Sequence, residues 1–325
     1  MRKLKRLLSA IIVLVLVLVS VLPAAAQQSE PGSGISISPL ISEFSLKPGE
    51  ANVIKLNVKN ITSNKITAKA SVADFESDNE SGNPRIITDP TNTNPHSIRK
   101  FILGLEDVPL NVGEQKKVTL PVQIPADATP GAYYGIVRYK AVPVGPNAPG
   151  PNEVSLSASV GTIVLITVPG NLREQVQLKS IHVYRGSGKS TLFFRQPTKI
   201  GVELRNLGNA FVKPFGSVKI TDISGKEVYT YQLNSTNPRA NLLPDSSRIF
   251  ENDVKNVNRI GRYTVTASVS YGNGSQILTL KKTFWYIPLW AAAAVLAVFL
   301  ALAYLAFRAY RRYKHESKRA YRRRG

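Results

Sequence analysis

Two apolar runs bracket this chain, and each carries its positive charge on its outer side. Leu7–Leu22 follows Arg2, Lys3, Lys5 and Arg6, while Ile287–Phe307 precedes Arg308, Arg311, Arg312, Lys314, Lys318, Arg319 and Arg322-Arg323-Arg324. Uncharged segments of this length partition out of water, so only the residues between them can build ordinary soluble cores. The first run is short for a ~30 Å hydrocarbon layer, and Pro23 stops its helix before Ala24-Ala25-Ala26. That pattern predicts a cleavable signal peptide over 1–26 and a linker over 27–34, with an uncleaved anchor as the alternative. The second run is uncharged over 21 positions, enough for a transmembrane helix over 285–307. Trp285, Tyr286 and Trp290 at one edge, and Tyr304, Tyr310 and Tyr313 near the other, suit the two interfaces.

The tail 308–325 holds nine Lys/Arg against one Glu. It is predicted to stay cytoplasmic, which makes the chain a single-pass protein of the cell membrane with its N-terminal domains extracellular. Its charge has three readings: orientation alone, contact of Arg308, Arg311, Arg312, Arg322, Arg323 and Arg324 with anionic lipid, or nucleic acid. The last is weakest, because these 18 residues carry no binding motif. The formal net charge is +21, of which four units sit in the signal and eight in the tail, leaving nine. That remainder suits an anionic surface such as a cell wall, and no nucleic-acid partner is expected. There is no cysteine, so the exported part must hold itself together by its cores, as fits a bacterial surface better than a eukaryotic receptor.

Across the intervening residues, period-two alternation recurs between turn signals, with no helical periodicity of useful length. Val53–Lys59, Ile66–Val72, Lys116–Ile124 and Tyr133–Val142 show it before Pro169-Gly170. Gln175–Tyr184, Lys199–Asn206, Phe211–Thr221, Tyr263–Tyr271 and Ile277–Phe284 show it after. Asp74–Pro95 reads as a long polar surface loop. The expected fold is all-β: two tandem immunoglobulin-like β-sandwiches, over 35–168 and 172–284, plus one C-terminal transmembrane α-helix. The halves echo each other. Asn57-Val58-Lys59-Asn60 matches Glu203-Leu204-Arg205-Asn206, and Pro130-Gly131-Ala132-Tyr133 matches Ile260-Gly261-Arg262-Tyr263.

The segment Ile37–Phe75, a strand, a Pro-Gly-Glu turn, a strand ending in Asn and a strand ending near Asp-Phe, resembles the opening of bacterial WxL-interacting surface proteins. Ile124–Gly135 is similar to a late strand of that family's first domain, and the order of signal, two immunoglobulin-like domains, helix and basic tail is shared. The resemblance implies peptidoglycan binding for the first domain and contact with a partner or host protein for the second. It carries over no site residue.

Catalysis finds little footing. His96 and His182 fall in different units, so a Ser-His-Asp arrangement would have to be built across them, and no cysteine nucleophile exists. Gly186-Ser-Gly188-Lys189-Ser190 lacks the first glycine of a phosphate-binding loop, having Val183 there, and reads as a hairpin turn. Asp74, Glu76, Asp78 and Glu80 alternate before Gly82 and could offer oxygens to calcium, or simply solvate a loop. Adjacent Tyr133-Tyr134 and Phe193-Phe194 should send one ring of each pair inward and the other outward, where a tyrosine could stack on a sugar or a protein. No cofactor is expected. The expectation is a non-enzymatic surface protein that binds a cell-wall polymer (peptidoglycan) or another surface protein. The alternative is a chaperone or assembly factor for exported surface fibres.

Overall fold

The computed structural model describes residues 34–87, 94–144 and 159–322, with side chains in the last segment as far as residue 311. The expected signal peptide, most of the 27–34 linker, Arg323, Arg324 and the side chains of Arg312 and Arg322 lie outside the described residues. The fold is all-β with one C-terminal helix, built as two immunoglobulin-like sandwiches in tandem.

The first unit holds β1 (Ile35–Ser38), β2 (Ile41–Ser45), β3 (Ala51–Asn60), β4 (Ile66–Ala73), β5 (Phe75–Ser77), β6 (Pro84–Ile86), β7 (Val108–Leu110), β8 (Gln115–Gln123), β9 (Gly131–Pro143) and β10 (Ser159–Val168). One sheet runs β1-β3-β8 and the other β2-β10-β9-β4-β7. Alternation does what the pattern demands: Ile54, Leu56 and Val58 of β3 turn inward, while Lys55 and Lys59 face solvent. They meet Ile66 and Ala68, Val137 and Tyr139, and Val164 and Ile166 from the opposing sheet. The chain changes sheets at Pro39, since β1 runs antiparallel to β3 and β2 parallel to β10.

The second unit holds β11 (Val176–Arg185), β12 (Gly188–Lys189), β13 (Leu192–Phe193), β14 (Lys199–Asn206), β15 (Phe215–Thr221), β16 (Glu227–Leu233), β17 (Ser247–Asp253), β18 (Gly261–Tyr271) and β19 (Gln276–Tyr286). Its sheets run β12-β11-β14-β17 and β13-β19-β18-β15-β16. Ile181, Val202 and Leu204 pack there against Ile220, Tyr263, Val265 and Phe284. The Gly-Lys-Ser stretch is the β11–β12 hairpin, with Tyr184 opposite Lys189.

The sequence echoes have a structural meaning. Asn60 Nδ2 donates to the carbonyls of Asn64 (2.8 Å) and Asn111 (2.9 Å), and its Oδ1 accepts from Thr62 N (2.9 Å). Asn206 does the same with Ala210 (2.8 Å), Leu242 (3.2 Å) and Gly208 N (2.9 Å). Both asparagines are fully buried, so each amide satisfies turn groups that water cannot reach. The phenols of Tyr133 and Tyr263 each donate to a carbonyl four residues upstream, Thr129 (3.0 Å) and Arg259 (2.7 Å).

Two features depart from expectation. Asp74–Pro95 is not a plain loop: β5 and β6 form a hairpin within it, closed by Phe75 opposite Ile86 and carried onto the second unit. The last strand also runs further than hydropathy suggests. Trp285 and Tyr286 belong to β19, with Tyr286 buried in the core, and the helix α1 (Leu289–Arg322) starts only after Pro288. An alternating strand and an apolar helix merge in a hydropathy average, which hides the join. Within α1, Leu289–Arg311 spans 23 residues of mean hydropathy 2.4, long and apolar enough to cross a membrane and not buried against the rest of the protein.

Candidate binding surfaces

The acidic run and the second tyrosine converge on the joint between the sandwiches. Phe75, Tyr134, Ile136 and Leu165 from the first unit close on Leu243 of the second, flanked by Ile86 and Phe211. The hairpin tip then lies against the edge of β17. Ile249 N donates to the Glu80 carbonyl (2.6 Å), Ser247 N to Asn79 Oδ1 (3.0 Å), and Ser77 Oγ to the Ser247 carbonyl (3.3 Å). At Gly82, with φ of +76°, a Cβ would stand 2.6 Å from Arg248 Cδ, so glycine lets the two chains approach.

The four carboxylates expected as calcium oxygens therefore do not converge. Asp74 is buried and held by Arg99 (3.0 Å) and Ser97 Oγ (2.7 Å). Glu76 pairs with Arg85 across the hairpin, and Glu80 joins the interface through its backbone. Asp78 accepts from Ser81 Oγ and from the backbone N–H groups of Glu80 (2.9 Å) and Gly82 (2.7 Å). Partial burial raises its pKa, but those hydrogen bonds outweigh burial and hold it at about 2. Among the described residues, no three His, Asp or Glu side chains are grouped to hold a metal ion.

Alternation does send Tyr133 and Tyr134 to opposite faces, yet neither is a free stacking platform. Tyr133 turns inward against Phe101, with ring centroids 4.8 Å apart. Tyr134 turns outward, where Phe75, His96 and Phe211 cover its ring at 5.0, 5.3 and 6.0 Å. Burial first, then the charges of Asp245, Glu76 and Asp74, push its phenol up to about 12. The outward ring was legible from period two; its cover, Phe75 and His96 from distant parts of the same unit and Phe211 from the other, was not. Phe193 is buried and Phe194 is exposed, as alternation requires.

A groove of about 800 Å³ opens beside the joint, between Glu80, Tyr184, Asn234, Arg248 and Asn252. Lys199 and Glu251 at its wall pair with each other at 3.4 Å, so those two charges offer little to a ligand. On the same outer face, β11 and β14 bring Ser180, His182 and Glu203 together within a single unit, which linear spacing concealed. Ser180 Oγ lies 2.8 Å from His182 Nε2 and donates to Glu203 Oε2 (2.7 Å); His182 Nε2 is itself 3.0 Å from that oxygen. A nucleophilic triad needs serine and acid on different ring nitrogens, whereas both meet Nε2 here. The trio is a charge cluster. Burial raises the Glu203 pKa, but hydrogen bonds from Lys179, Ser180 and His182 prevail and hold it at about 2.

The first unit carries a feature no local motif announces. On the outer face of the five-stranded sheet, Lys69 of β4 stands directly opposite Lys140 of β9, with Arg138 one row away opposite Ser71. None of the three forms a salt bridge among the described residues, and Arg138 only donates to Ser159 Oγ. Like charges in direct opposition oppose sheet pairing. Beside them the sheet edge is open among the described residues. β2 covers β10 only from Ile163 onward, where Ile163 N donates to the Leu40 carbonyl (2.9 Å). By alternation Ser159 and Gly161 point their N–H and C=O groups to that same side, where no described residue pairs with them. Leu40 and Ile41, 67% and 52% exposed, flank this edge.

No family model matches the chain, and no curated protein does either. Among solved structures, a chain of the CFA/I fimbrial chaperone–tip adhesin complex aligns at 13% identity over 79% of this chain and 100% of its own, with a TM-score of 0.35. The Escherichia coli chaperone DraB aligns at 14% over 78% and 97%, with a TM-score of 0.34. A chain of the CsuC–CsuE chaperone–tip subunit complex of Acinetobacter baumannii aligns at 11% over 77% and 98%, with a TM-score of 0.35. At 11–14% identity and TM-scores of 0.34–0.35, these alignments say nothing about what this chain does.

Proposed function

We propose that this is a membrane-anchored, non-catalytic surface protein whose first sandwich binds an anionic cell-wall polymer. The observation that carries the reading is the set of Lys69, Arg138 and Lys140, three cations on one outer sheet face without an acidic partner among the described residues. Their mutual repulsion costs the free protein stability, and an anionic ligand relieves it. Placement supports the same reading. α1 anchors the chain, the basic tail keeps the helix end inside, and the packed joint lies at the end of the second unit away from α1. The resemblance to WxL-interacting surface proteins, which assigns peptidoglycan to the first domain, points the same way. The test is retention of the full chain, in detergent, on isolated wall stripped of protein. Binding should weaken with salt and disappear in the triple variant Lys69→Gln/Arg138→Gln/Lys140→Gln. Equal retention of parent and triple variant removes the reading.

A second reading, an assembly factor for exported fibres, is favoured by the open edge at Ser159 and Gly161, onto which a partner's strand could add. Ser159→Pro removes one outward N–H and leaves the β9 backbone ladder intact, and Ser159→Ala controls for loss of the Arg138 hydrogen bond to Ser159 Oγ. Loss of a co-isolated exported subunit in this variant, from a chain that is not retained on stripped wall, would favour assembly over wall binding.

A further inference from the structure

We infer that the lower end of the second sandwich is itself a lipid-contacting surface, seated on the anionic headgroup layer through Leu192, Phe194, Ile260, Trp285 and Arg262. The inference rests on the reading of α1 as a membrane anchor and adds to it a second point of contact from other strands.

The register brings these residues into one place. Trp285 of β19 lies between Leu192 of β13 and Arg262 of β18, and Phe284 and Tyr286 point into the core, so the row Leu192–Trp285–Arg262 faces outward. Leu192, Phe194, Ile260 and Trp285 are 43%, 46%, 49% and 46% exposed, an unusual density of large apolar groups for a surface facing water. Arg195, Arg259 and Arg262 are also exposed, and none of them pairs with an acid among the described residues. Aromatic rings beside unpaired arginines are what a bilayer interface with anionic lipid selects.

Chain length says what covers this surface. Ile287 N still donates to the Phe193 carbonyl (2.8 Å), which leaves only Pro288 between the last sheet hydrogen bond and α1. From Tyr286 to Leu289 an extended chain reaches at most ~10 Å. The headgroup layer on each side of the hydrocarbon is itself roughly 5–7 Å thick. With Leu289 at the hydrocarbon boundary, even a fully extended connection carries Tyr286 only a few ångströms past that layer, which keeps Trp285 and its neighbours at the headgroup surface.

The chain's two tryptophans, Trp285 and Trp290, make the test direct. The full chain is reconstituted into vesicles of zwitterionic and anionic phospholipid, with bromine on the acyl chains near the headgroup. Trp290→Phe leaves Trp285 as the reporter, and Trp285→Phe leaves Trp290. The inference expects Trp285 emission to be blue-shifted, shielded from iodide and quenched by the brominated lipid, and to lose all three properties in Leu192→Ser/Phe194→Ser made on the Trp290→Phe chain. Trp285 open to iodide while Trp290 is quenched by lipid overturns the seat and leaves the anchor standing. Neither tryptophan quenched by lipid overturns the anchor and the seat together. Quenching unchanged in the double variant overturns the contribution of β13.

Discussion

The two sandwiches solve their turns identically and use their outer faces differently. Asn60 and Asn206 satisfy the same turn groups, and Tyr133 and Tyr263 make the same backward hydrogen bond. The residue after each tyrosine diverges. In the first unit it is Tyr134, followed on that face by Ile136, and the second unit covers both. In the second unit it is Thr264, followed by Thr266 and Ser268, a partly exposed hydroxyl face. The repeated residues are those that close a sandwich. The unrepeated ones are those through which a sandwich meets something else.

Substitutions on either side of that division can break the comparison. The largest effect is expected for Tyr134→Ala, about 3–5 kcal/mol, because it empties a packed joint. Thr264→Ala at the matching position should stay within about 0.5 kcal/mol. Denaturant unfolding of the full chain in detergent measures both, and equal losses would mean the joint adds nothing. Next come Asn60→Ala and Asn206→Ala, each expected to cost about 2–3 kcal/mol by orphaning buried carbonyls. A clear inequality between them, in the same assay, would show that the two turns are alike only in outline. Tyr263→Phe follows at about 1 kcal/mol. Tyr133→Phe should cost less, since Tyr263 is 1% exposed and Tyr133 is only partly buried, so water can replace its bond.

A pH dependence is expected as well, to which Glu203 of the second unit contributes as Asp78 of the first does. Glu203 is held at about 2, below its ordinary 4.5, so its stabilisation is complete above about pH 4.5 and is lost as pH falls toward 2. Glu203→Gln should make that acid limb shallower, leaving the share of Asp78, in melting curves recorded against pH. A parent chain whose melting temperature does not fall across this window would remove the proposed role of the Lys179–Ser180–His182 cluster.

Much of the architecture was legible because it is local. Alternation in Val53–Lys59 or Tyr263–Tyr271, and turns such as Asp222–Gly225, are written in consecutive residues. What escaped was written across the chain. β5 and β6 have only three residues each, too few to show a period, and their tip pairs with Ser247 and Ile249 of another unit. Lys69 and Lys140 become neighbours only through the β4–β9 register, and Ser180 meets Glu203 only across β11 and β14. The acidic run showed the converse: spacing that suggested shared ligands belongs to three carboxylates with separate partners and a glutamate, Glu80, that joins the interface through its backbone.

The packed joint around Tyr134 and the direct join at Pro288, whose carbonyl accepts from Ala291 N and Ala292 N at the start of α1, have a mechanical consequence. A load pulling on the first sandwich finds no slack to stretch. It is delivered as torque to the top of α1, whose helix continues without a break to Arg322. In a chain so connected, tugging at the distal end and tilting the helix are the same movement.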